Sequence, residues 1–207
     1  GRFACLKTYE MLMQMTGLVF FDFSFSEKGK PFLREHPDLH FNISHCKNGL
    51  AVAVSKEPVG IDIEAFRSAD DALLEYCMNP EEATAVRQSA DPAQAFSSLW
   101  TRKEAVLKLR GTGITDDLHQ VLSGKEQTET FVNEGKKYVY SVSFDRYSFL
   151  DERLECYMNG KSISTLFSRD TSKGSVQQNE QGRVCSVLRR HDKCVPRRLS
   201  EGALQAA

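Results

Sequence analysis

The 207-residue chain contains no run of 18 apolar residues, so a helical membrane span is not expected. It has little charge of either sign in excess: the formal net charge is −1, and no global field draws it to nucleic acid or to an anionic membrane. Its cysteines, at 5, 46, 77, 156, 185 and 194, form no C-x-x-C pair and read as reduced core or surface thiols of a cytoplasmic protein. No internal repeat is present. The opening stretch GRFACLKTYEMLMQMTG lacks an unbroken apolar centre, because Lys7 and Glu10 interrupt it; it reads as an amphipathic helix rather than a signal peptide. What remains is ordinary for a folded protein with a core: 41% hydrophobic and 27% charged residues, enough for one large domain or two small ones.

Helix signals are strong. Residues 2–16 carry Leu6, Tyr9, Leu12 and Met13 at helical spacing, with Gly17 as the stop. Asn79, Pro80 and Glu82 form a capping box for a helix over 80–88, and Asp91 with Pro92 opens another that runs over 92–110 to Gly111. Strands are expected at 18–26, 40–44, 49–55, 59–64 and 137–144, in a mixed, mainly antiparallel sheet. The fold class is α+β. Beyond about 146 the apolar period fades: SRDTSKGSVQQNEQG reads as disordered linker, followed by a basic end with Arg183, Arg189, Arg190, Lys193, Arg197 and Arg198. That end has no aromatic residue beyond Phe167 for base stacking, so nucleic acid is not an expected partner.

The stretch EPVGIDIEAF, residues 57–66, poses the chemical question. Val59, Ile61 and Ile63 mark a buried strand, and alternation sends Asp62 and Glu64 to one shared face. Buried side by side without a partner, two carboxylates would cost several kcal/mol. On the long helix, Trp100, Glu104 and Lys108 recur every fourth residue, beside an apolar stripe of Phe96, Leu99, Val106 and Leu109. If this helix covers the 59–64 strand, Asp62, Glu64 and Glu104 converge, and such a set suits a hard divalent cation such as magnesium that shares its shell with substrate phosphates. Spacing alone also allows plainer readings: a solvated D-x-E strand face, and a surface Glu104–Lys108 ion pair worth about 0.3–0.5 kcal/mol. For His45 a turn or core histidine is the plainer reading, for Lys30 a solvated lysine, and for Lys103 a solvated or phosphate-contacting one. A metal cluster of His36, His40 and His45 is set aside, because Pro37 breaks any helix there.

Four motifs together, GKPF (29–32), FNISH (41–45), VGIDIE (59–64) and LWTRKEAVLKLRGTGI (99–114), resemble the Sfp-like phosphopantetheinyl transferases in order and spacing, over about residues 1–144. The resemblance implies transfer of the phosphopantetheine arm of coenzyme A to a serine hydroxyl of an acyl or peptidyl carrier protein, with magnesium. It implies Asp62, Glu64 and Glu104 as magnesium ligands. Glu104, or a water that it orients, is then the base, and Lys108 the group that stabilises or protonates the leaving phosphate. Lys30, Ser44, His45, Lys103 and Lys108 are implied as coenzyme A contacts, with Arg2 as a survivor of the basic group for the adenine-side phosphate. The family's two pseudo-twofold α/β halves imply an incomplete first half over 1–58, a second half over 59–145 and an atypical, partly disordered tail over 146–207. A cytoplasmic monomer is the expected state. The competing reading is a non-catalytic fragment or relic that binds coenzyme A or carrier protein without turnover.

Overall fold

A computed structural model gives the architecture and describes residues 2–47, 49–114, 117–145, 152–158 and 161–167, the last two stretches as backbone only. The side chains of Arg2 and Phe3, and everything from 168 onward, including the basic end, lie outside the described residues.

The strong helix signals hold. Helix α1 spans Arg2–Thr16. After the short helix α2 (Asp71–Cys77), Asn79 and Glu82 exchange reciprocal hydrogen bonds of 2.9 Å that start α3 (Pro80–Gln88). Helix α4 (Pro92–Arg110) begins with the Asp91 carboxylate accepting the Gln94 N–H and stops at Gly111, which turns left-handed at φ 69°. A β-carbon is strained in that conformation, so glycine ends the helix at little cost.

Among the described residues every strand pairing is antiparallel, and the expected single mixed sheet is instead three sheets. The first is a hairpin of β1 (Phe23–Phe25) and β2 (Pro31–Leu33). The second runs in the order β3 (His40–Cys46), β4 (Gly49–Ser55), β8 (Glu152–Met158), β9 (Lys161–Phe167). The third places β7 (Tyr138–Phe144) between β5 (Val59–Ala65) and β6 (Gln127–Asn133). The strand expected over 18–26 shrinks to three residues, because Val19 and Phe20 are solvent-exposed and do not join the ladder. Two strands, β8 and β9, fall within the segment read as tail, and β8 pairs along β4. No helix among the described residues is long and apolar enough to cross a membrane.

Alternation fixes what each strand face meets. On β4, Leu50, Val52 and Val54 pack with Met11 and Leu12 of α1, while Ala51 and Ala53 point the other way, into a core shared with Val59, Ile61 and Ile63 of β5. The apolar face of β5 is thereby spent on the neighbouring sheet. Its other face, carrying Gly60, Asp62 and Glu64, lies beneath α4, which crosses both β5 and β7. A third apolar cluster, including Phe96, Val106 and Leu107, joins α4 to α2 and α3.

Candidate active site

The two sheets meet through side chains rather than a backbone ladder. On β3, Asn42 Oδ1 accepts the Ile61 N–H at 2.9 Å and Ser44 Oγ accepts the Ile63 N–H at 3.3 Å. These bonds bring Ser44 against Asp62, to whose Oδ1 its hydroxyl donates at 2.7 Å. From above, Lys108 of α4 donates to the same Oδ1 at 2.6 Å and to Ser44 Oγ at 2.9 Å. Asp62 is only 4% exposed, and its second oxygen, Oδ2, is buried with no hydrogen-bond partner among the described residues. An orphaned carboxylate oxygen is expensive, and most buried polar atoms avoid that state.

Glu64 and Glu104 flank this buried pair. Burial, and then the Asp62 charge, push both carboxyls above the ordinary glutamate value; Arg67 and Lys108 pull each of them partly back. Three carboxylates therefore feel one another across the β5–α4 boundary, as the alternation argument required. Among the described residues no three acidic, histidine or cysteine side chains are drawn together closely enough to form a finished metal site. The donor chemistry nonetheless fits a hard cation: all three groups offer carboxylate oxygen, one of those oxygens is buried and unpartnered, and the repulsion among them is what a divalent charge relieves.

A cleft of about 220 Å³ opens beside the carboxylates, lined in part by Lys28, Lys30, Asn42, Glu104, Lys108 and Gly111. Lys30 is not the free turn lysine of the plainer reading. Its ammonium donates to the carbonyl oxygen of Leu109 at 3.0 Å and that of Val59 at 3.5 Å, at the C-terminal end of α4, and burial lowers its pKa. A cation is favoured there by the helix dipole.

The remaining expectations divide. Lys108 pairs with Asp62 across two elements rather than lying in a surface pair with Glu104. The D-x-E face is likewise not solvated: Asp62 is buried and Glu64 half-buried. Lys103 is a correction. It is fully buried, donating at 2.7 Å both to the Leu118 carbonyl and to Glu82, so it ties α4 to α3 and has no route to a phosphate. Ser44 is buried in the seam between the sheets. A hydroxyl has one proton to donate and two lone pairs, and Ser44 spends them on Asp62, Lys108 and the Ile63 N–H. His45 is exposed one residue further along β3, on the face that carries Phe41 and Ile43 rather than Ser44. The side chain of Arg2 lies outside the described residues.

Two residues were not singled out from the sequence. Asn42 holds the seam. Arg67 lies over the rings of Phe96 and Trp100, 5.2 and 5.5 Å from their centroids, and contributes positive charge to Glu64 and Glu104. A lone arginine after a strand carries no spacing signal, whereas Asn42 could have been found from its place two residues before Ser44 on the same strand face.

The site is thus a carboxylate group under a helix that also carries a lysine, beside a lysine-lined cleft. Residues 58–156 match the 4′-phosphopantetheinyl transferase superfamily. Among curated relatives it is 31% identical over 143 residues to the 4′-phosphopantetheinyl transferase gsp of Aneurinibacillus migulanus, a match covering 68% of this chain and 60% of that protein. It is 42% identical over 89 residues to the 4′-phosphopantetheinyl transferase psf-1 of Bacillus pumilus, covering 42% of this chain and 38% of the relative. To the 4′-phosphopantetheinyl transferase Sfp of Bacillus subtilis (strain 168) it is 32% identical over 95 residues, covering 45% and 42%. The chain thus spans between 38% and 60% of the length of these relatives.

Proposed function

We propose that the chain transfers the phosphopantetheine arm of coenzyme A to a serine hydroxyl of an acyl or peptidyl carrier protein, with magnesium, as a cytoplasmic monomer. The observation that carries this reading is the Lys108–Asp62 pair of 2.6 Å on the rim of the lysine-lined cleft, with Glu104 on the same helix one turn away. The match of residues 58–156 to the 4′-phosphopantetheinyl transferase superfamily supports the chemistry, and free thiols at Cys5 and Cys77 support a reducing compartment.

In this reading Asp62, Glu64 and Glu104 would hold the magnesium, which when bound neutralises charge on the pyrophosphate of coenzyme A. Lys30 and Lys108 hold the phosphates in the cleft. The serine oxygen of the carrier forms a bond to the phosphorus that bears the pantetheine arm, the pyrophosphate P–O bond breaks, and adenosine 3′,5′-bisphosphate leaves. Glu104, directly or through a water, takes the serine proton. Lys108 offsets the charge that develops on the departing phosphate oxygen.

The test is mass spectrometry of an apo carrier protein incubated with this chain, coenzyme A and magnesium. A gain of one phosphopantetheine arm is the expected result. No gain, together with magnesium-dependent coenzyme A binding by calorimetry, would favour the non-catalytic reading, and neither signal would refute both.

A further inference from the structure

Lys108 holds Asp62 by a direct bond of 2.6 Å, whereas among the described residues no hydrogen bond anchors the Glu104 carboxylate. Where Glu104 stands is therefore set by how α4 is turned about its own axis. Helices ordinarily fix that rotation by interlocking ridges of side chains. The side of α4 that meets the sheet offers little to interlock: it bears Ser97, Thr101 and Ala105, all fully buried. The bulky residues Phe96, Val106 and Leu107 face α2 and α3 instead.

The sheet beneath is equally small and polar. Ser141 of β7 stands directly opposite Asp62 in the ladder, and Thr130 of β6 directly opposite Ser141. Residues paired in this way share one face. A line of hydroxyls climbs from that face into the helix. Thr130 Oγ1 and Ser141 Oγ are 2.9 Å apart, and Ser141 Oγ and Thr101 Oγ1 are 2.8 Å apart. Thr101 donates its proton to the Ser98 carbonyl one turn back, at 3.2 Å. A hydroxyl has a single proton, so Ser141 is the donor to Thr101 and Thr130 the donor to Ser141. Ser143 lies on the same face, but its hydroxyl bonds the Gln127 carbonyl and Thr128 within the sheet. Ser97, one turn before Thr101, ties α4 to the end of β5 by accepting the Arg67 N–H at 3.0 Å. Between that tie and Lys108, the Thr101–Ser141 bond is the polar contact on α4 nearest to Glu104, three residues away.

We propose that Thr101 and Ser141 are a positioning pair: their hydroxyl bond sets the rotation of α4 over the sheet and so places Glu104 against Asp62 for a divalent cation. Neither residue touches the cation or coenzyme A. The inference rests on the cation reading of the Asp62–Glu64–Glu104 group. It gives β7, which contributes no carboxylate, a part in building that group.

The probe is Mn²⁺ alone, with affinity followed by electron paramagnetic resonance on the full chain. Thr101→Val keeps the shape and removes the hydroxyl; Thr101→Ser keeps the hydroxyl and removes a methyl group. Partners that orient metal ligands commonly cost 10–100-fold in affinity when lost, so Thr101→Val is expected to weaken Mn²⁺ binding by about tenfold. Thr101→Ser is expected to stay close to the parent. Ser141→Ala breaks the same bond from the strand and carries the test if Thr101→Val does not fold; a loss similar to that of Thr101→Val is expected. The double variant should lose no more than either single one, because one bond is removed in all three. Unchanged Mn²⁺ affinity in folded Thr101→Val or Ser141→Ala, with the parent binding normally, overturns the inference alone. A loss in Thr101→Ser as large as that in Thr101→Val also overturns it, since packing would then be the cause. Additive losses in the double variant overturn the pairing. A parent chain that binds no Mn²⁺ overturns the cation reading and this inference with it.

Discussion

A methyl group on Gly60 would overlap the carbonyl oxygen of Ala105 and come within 2.5 Å of the Leu109 backbone nitrogen. Strand β5 and helix α4 touch backbone to backbone at this point, and only a residue without a β-carbon permits it. The contact lies two residues from Asp62 on one element and, on the other, at Ala105 and Leu109, which directly follow Glu104 and Lys108, so it sets the distance over which the lysine reaches the carboxylate.

Gly60→Ala is therefore expected to push α4 away from β5, with a stability cost of about 1–3 kcal/mol from overpacking. Urea unfolding reads the cost. Hydrogen exchange at α4 should rise in the same variant, and an exchange pattern equal to the parent's would argue against the close approach.

Lys108→Met leaves Asp62 buried without its charge partner. A loss of about 2 kcal/mol in unfolding free energy is expected, in the range for hydrogen bonds to charged groups. The double variant Lys108→Met with Asp62→Asn should lose clearly less than the sum of the single changes, because the two groups act as a unit. If the Proposed function holds, turnover in Lys108→Met falls roughly 10²–10⁴-fold. A cost below about 0.5 kcal/mol with unaltered turnover would return the lysine to the status of a surface pair.

The raised Glu104 carboxyl makes a pH prediction. Its folded pKa lies above its unfolded one, so the folded chain binds this proton more tightly. Stability then falls as pH rises from the ordinary glutamate range through the folded value, and the penalty is complete above it. Glu104→Gln removes the titrating group. Its melting temperature should exceed the parent's at about pH 8, and the advantage should vanish at about pH 3.5, where both states are protonated. Saturating magnesium should narrow the gap at the higher pH, because only the parent keeps the full set of cation ligands. A variant less stable than the parent at every pH would contradict the origin of the shift.

Lys103→Met tests the reassignment of that lysine. Removing one partner of a buried ion pair costs about 3–5 kcal/mol, and the loss should appear in unfolding. The coenzyme A affinity of the remaining folded protein should stay within about twofold. A tenfold fall in affinity would restore Lys103 to the binding surface.

Much of this site could be read from residue order, and the failures share a cause. The face of Asp62 and Glu64 followed from strand alternation, and the Glu104 row from helical spacing, because both depend only on local geometry. The partner of Lys108 did not follow. Four-residue spacing offers Glu104 as a neighbour, while the actual partner comes from another element and depends on how closely α4 approaches β5. Lys103 had a signal that went unused: Phe96 and Leu107 lie seven residues before it and four after it on the same buried face. Strand β6, QTETFVN, was missed because only Phe131 is buried, which leaves no period to detect. In FNISH, the motif itself was visible, but the bonds of Ser44 cannot be assigned until the groups around it are placed.

The tether of Lys30 has a thermodynamic consequence. A lysine on a surface turn loses up to about 2 kcal/mol of rotational freedom when a ligand fixes it. Here the carbonyl oxygens of Leu109 and Val59 already hold the ammonium at the cleft. Two of its three protons are occupied and the third is left for an anion, so most of the ordering cost falls on folding rather than on association. An anion entering the cleft meets a cation that is already in place, and the turn that carries Lys30 behaves as a fixed wall instead of a closing arm.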